Sequence, residues 1–65
     1  MQHPFYSVYA AFSNLPRKKY HNIASAIIDA GDVAKKNNID TFVIEYMDAP
    51  CVVCCCSPDG SLEQL

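Results

Sequence analysis

The chain predicts a small α+β domain of order β-α-β-β, with one amphipathic helix packed on one face of a three- to four-stranded sheet. Three observations predict it. An aromatic, β-branched stretch opens the chain, apolar residues then recur at helical spacing, and two short strand-like runs follow around a turn cluster. At 65 residues this is one domain, residues 1–65. A chain this short buries only about 60% of its unfolded surface, so help from a partner, a metal or disulfides is expected.

The first strand is "FYSVYAAF", residues 5–12, with Pro4 before it. Tyr6, Val8, Ala10 and Phe12 share one face; Phe5, Ser7, Tyr9 and Ala11 share the other. In "SNLP", Ser13 or Asn14 is a candidate helix cap and Pro16 suits the first turn. Tyr20, Ile23, Ala24, Ile27, Gly31 and Ala34 then form an apolar stripe. Lys18, Asn22, Ser25, Asp29, Asp32 and Lys36 lie opposite, giving a helix from about residue 15 to 37. Lys35 and Lys36 suit its negative end, and Asn37 or Asn38 suits a left-handed cap. Gly31 on the buried stripe implies close packing against the sheet, with a helix break after Ala30 as the alternative.

"TFVIEYM", residues 41–47, is a strand with Phe42, Ile44 and Tyr46 on one face and Val43, Glu45 and Met47 on the other. A three-residue loop pairs Met47 with Cys51. Val52, Cys54 and Cys56 then join Tyr46, Ile44 and Phe42 under the helix. "SPDG" is a turn, after which "SLEQL" adds a short fourth strand or frays. The helical crossover makes the first two strands parallel if they share a sheet.

All four cysteines fall within "CVVCCC", residues 51–56. On a flat strand Cys51 and Cys54 point to opposite faces, unlike a turn-borne C-x-x-C, and no second half of a zinc signature exists. Cys51 and Cys55 share a face but lie about 13 Å apart, beyond the ~7 Å limit for a disulfide. The preferred reading is four small apolar strand residues, with Cys54 and Cys56 under the helix and no metal or other cofactor. A cysteine-based metal-binding module is the third-ranked alternative.

One helix covers only one sheet face. The other is expected to hold Phe5, Tyr9, Val43, Met47, Cys51, Val53 and Cys55, too apolar a set for a solvated face and therefore a partner-binding surface. A second feature is "RKK", Arg17, Lys18 and Lys19, read as lying in the first helical turns. Cations are disfavoured there, so an anion or acidic partner is a candidate ligand.

The composition is 51% hydrophobic and 18% charged, with net charge −2. That disfavours nucleic-acid binding through bulk charge. No Walker loop, dinucleotide motif or serine elbow appears, so no catalytic residues are assigned. No run approaches the ~20 apolar residues of a membrane helix, and the N-terminus lacks signal-peptide features, which points to the cytoplasm and away from membranes. The expected function is a non-enzymatic protein-binding module. A homodimer is expected, with a host protein as the other partner. Small size and lack of motifs suggest a phage or mobile-element accessory protein that inhibits a host macromolecule by occupying its surface. A nucleic-acid or anion binder using the basic residues is the second reading.

Overall fold

The computed structural model describes residues 4–10 and 18–65. The order is β1 (Phe5–Ala10), α1 (Ile23–Asn37), β2 (Thr41–Tyr46), β3 (Pro50–Cys56) and β4 (Leu62–Gln64). The strands form one sheet in the order β1-β2-β3-β4, antiparallel throughout, and the helix packs on one face. The α+β class is therefore as expected, and "SLEQL" does supply a fourth strand. Among the described residues no helix is long and apolar enough to cross a membrane.

The parallel β1–β2 pair expected from the crossover is not found: the two strands are antiparallel. The reason lies before the helix. Residues 18–20 are not helical; they run back along β1, where Tyr6 donates to the Tyr20 carbonyl (2.7 Å) and Tyr20 to the Tyr6 carbonyl (2.9 Å). This extra reversal sends the helix along the sense of β1, so β2 must return against it. The helix correspondingly starts at Ile23, not near residue 15. Asn22 caps it, accepting at 2.8 Å from the Ala24 N–H. The expected caps Ser13 and Asn14, and Pro16, lie outside the described residues.

At the other end, Asn38 takes the left-handed conformation at φ 54° and donates its N–H to the Ala34 carbonyl. The buried stripe is Ala26, Ala30 and Ala34, each 0% exposed, in place of the stripe through Ala24 and Gly31. Three alanines at i, i+4 spacing bring the helix close to the sheet. Gly31 plays no part in that approach: nothing lies within 4 Å of where its Cβ would be, and the helix runs through it unbroken.

Only small side chains fit beneath an alanine stripe. Val43, Thr41, Cys54, Cys56 and Ala10 fill that layer, edged by Tyr6, Val8, Tyr20, Ile27 and Val53. The expected placement of Phe42, Ile44 and Tyr46 under the helix is thus inverted. The β2–β3 pairing explains how. Tyr46 pairs with Pro50, Glu45 with Cys51 and Ile44 with Val52, so the turn is residues 47–49, one residue earlier than expected. Moving the turn by one residue shifts the register by two, which leaves Ile44 sharing a face with Val52 and Glu45 with Cys51, as expected. The bulge supplies the odd residue: it skips Val53, and Val43 pairs with Cys54, Phe42 with Cys55 and Thr41 with Cys56, which puts Cys54 and Cys56 on the side of Val43 and Thr41. Cys54 and Cys56 therefore do reach the core. Cys51, paired with Glu45, falls on the same face as Cys54, where a flat strand would oppose them.

The β3–β4 hairpin turns at Ser57 to Gly60. Gly60 donates to the Ser57 carbonyl and holds φ 95°, a left-handed conformation suited to glycine. The Asp59 carboxylate accepts from both the backbone N–H and the hydroxyl of Ser61, which lowers its pKa.

Candidate interaction surface

The sheet face away from the helix follows from strand alternation and the pairing register. Three cross-strand rows make it up: Phe5 with Tyr46; Ser7, Ile44 and Val52; and Tyr9, Phe42, Cys55 and Glu63. Aromatics too large for the layer beneath the alanines collect here. The Phe5 and Tyr46 rings stack with centroids 5.0 Å apart and planes 7° apart. Tyr9 is 55% and Val52 40% exposed, while the other large side chains of the face are half-buried among their neighbours. The described helix packs on the opposite face.

Of the residues expected on this face, Phe5, Tyr9 and Cys55 lie there. Val43 does not; it is fully buried under the helix. Val53 is the bulge residue and packs against the core, Cys51 shares the side of Glu45, and Met47 is in the turn. Phe42, Ile44, Tyr46 and Val52 are the residues that sequence reasoning left off. The signal that could have found them is the run Ala26, Ala30, Ala34: a helix that approaches the sheet along a line of alanines leaves little depth there for Phe42 or Tyr46.

Charge enters this face at two edges. Because Tyr20 pairs with Tyr6 on the helix side, Lys19 falls on the open side. Its Nζ lies 4.9 Å above the Phe5 ring. Glu63 sits at the far edge on β4, paired with Cys55. Among the described residues neither takes part in an ion pair; the one pair there joins Lys36 and Asp32 on the exposed helix side (3.1 Å). Lys18 and Lys19 thus precede the helix, and the anion site expected at its first turn is not formed by them. Arg17 lies outside the described residues.

All four cysteines are free thiols. Burial raises the pKa of Cys55, as do the negative charges of Asp40 and Glu63. Burial also raises Cys56, whose thiol points toward the Ile27 carbonyl. Among the described residues no three His, Cys, Asp or Glu side chains are grouped closely enough to hold a metal ion. A groove of about 570 Å³ runs between the exposed flank of α1 (Ile28, Gly31, Lys35) and the β3–β4 hairpin (Ser57, Leu62). Asp29, Asp32, Cys56 and Ser61 also line it.

On the helix side, the Tyr20 hydroxyl donates to the Asp29 carboxylate and the Tyr6 hydroxyl to Glu45 (3.2 Å). These bonds tie the returning segment and β1 to the helix and β2. The chain matches no protein-family model, and neither the curated proteins nor the solved structures contain a match to it.

Proposed function

We propose that this chain is a non-enzymatic, cytoplasmic protein-binding module whose contact surface is the open sheet face. The observation that carries the reading is the concentration of Phe5, Tyr9, Phe42, Ile44, Tyr46 and Val52 on one side of the sheet, with charge only at its edges. Apolar faces of this kind are interaction sites in soluble proteins. Tyrosine and phenylalanine are well suited to the work, giving large contact area for little lost side-chain freedom. Four free thiols on a chain without a disulfide fit a reducing compartment. The inhibitor role expected from size and lack of motifs is the special case in which the partner is a host protein.

Site-specific photo-cross-linking tests this. Benzoylphenylalanine at position 52, on the open face, is compared with the same group at position 25, on the exposed side of the helix, in source cells. Covalent protein adducts from position 52 and not from position 25 support the reading. No adducts from position 52, or equal yields from both, overturn it.

A further inference from the structure

We propose that the partner is a second copy of this chain, seated face to face so that Lys19 of each copy meets Glu63 of the other; this rests on the open face being the binding surface. The argument is one of complementarity. Lys19 overhangs the Phe5–Tyr46 row beyond β1, and Glu63 ends the Tyr9–Phe42–Cys55 row on β4. The two charges therefore occupy opposite corners of a face whose strand residues are otherwise uncharged, and Asp40, at the head of β2, adds negative charge beside Cys55 at the Glu63 end. A two-fold axis in the plane of contact, perpendicular to the Lys19–Glu63 diagonal, lays each corner over its opposite.

Two opposite charges then meet twice. The same rotation sets the bulky Phe5–Tyr46 corner over the low Cys55–Glu63 corner, so shape and charge match under one operation. It also places Tyr9 near the axis, against its own copy. Closed two-fold pairs are the commonest assemblies of identical chains.

Dimensions fix the crossing and the strength. The six-residue strands run about 20 Å, and the four strands with the returning segment span about 19 Å across. On so nearly square a face the diagonal axis crosses the two sets of strands at close to a right angle, one of the two packings stacked sheets adopt. The flat area is about 400 Å² per copy before side-chain relief, so the total lies at the low end of specific interfaces and the expected Kd is micromolar.

The experiment is light scattering during size exclusion, on reduced protein loaded at about 0.5 mM, well above a micromolar Kd. Wild type is compared with I44D, K19E, E63K and the double variant K19E/E63K, each checked for folding by circular dichroism. Wild type is expected at twice the 7.2 kDa of one chain, and I44D at one chain. Each single charge reversal sets two pairs of like charges together and is expected to weaken the dimer roughly tenfold, with the double variant recovering most of the loss. A wild-type monomer overturns the second copy as partner, as does a dimer indifferent to I44D. Single reversals without effect, or a double variant no better than the singles, overturn the Lys19–Glu63 geometry. Adducts from position 52 to a different protein, alongside a wild-type monomer, leave the binding surface standing and remove only the self-pairing.

Discussion

Gly31 occupies the middle of α1, where glycine is less favourable than alanine by up to about 1 kcal/mol. Open space surrounds its missing Cβ, so the usual reasons for a helical glycine are absent here. Gly31→Ala is expected to stabilise the protein by up to about 1 kcal/mol, raising the thermal midpoint by roughly 4–8 °C for a domain of this size. A melt followed by circular dichroism measures it, and a lowered midpoint would show a tight approach after all. Other residues carried their meaning openly. Asn38 follows two lysines where a helix must stop, and it takes the left-handed cap that asparagine tolerates. Gly31 misled because the stripe was drawn through Tyr20, which is not helical; starting at Ile23 turns the buried side onto the alanines.

β3 is the element on which the reading of the cysteines depends. Alternation alone makes Cys51 and Cys54 opposite; the bulge at Val53 sets them on one side, yet only Cys54 is under the helix. Thiol labelling at neutral pH is expected to modify Cys51 first. Cys55 should follow slowly, its thiolate disfavoured by burial and by Asp40 and Glu63. Cys54 and Cys56 should react only on unfolding. Peptide mapping by mass spectrometry separates these, and Cys51→Ser should abolish the fast phase; early labelling of Cys54 would contradict its burial. Strand existence was legible here and in β2, whose β-branched and aromatic residues are unmistakable. Register was not: the more apolar face of β2, Phe42, Ile44 and Tyr46, lies away from the helix, while the face beneath it carries Thr41 and Glu45 beside Val43, so hydrophobic pattern favoured the wrong side.

For the whole molecule, the class was legible from element order, while the direction of β1 against β2 depended on three residues. Nothing in "KKY" announces that it doubles back along β1, and only tertiary pairing to Tyr6 decides it. That return is held on the helix side by Tyr20 and Asp29, and this gives global stability an alkaline limit. Burial, then the hydrogen bond and negative charge of Asp29, push the Tyr20 pKa from 10.0 up to about 12; burial and Glu45 raise Tyr6. The folded state holds these protons more tightly than the unfolded chain. The Tyr20 contribution is therefore complete below about pH 10 and lost as pH rises through about 12, and the Tyr6 contribution has the same sign. Denaturant unfolding at neutral pH and near pH 11 is expected to show the drop, and Tyr20→Phe to blunt it while costing about 1 kcal/mol at neutral pH. An undiminished drop in that variant would place the limit elsewhere. The bulge in β3 has a consequence for chain length. Val53 has no opposite number, so a chain lacking that one residue would thread the same ladder without a gap: Cys51 would still face Glu45, Val52 would face Ile44, and Cys54 would face Val43. The order of residues on both faces would survive the deletion, at the cost of the Val53 contact with the core and of its carbonyl's bond from the Leu65 N–H, making this the point in the strand where sequences of different length can share one architecture.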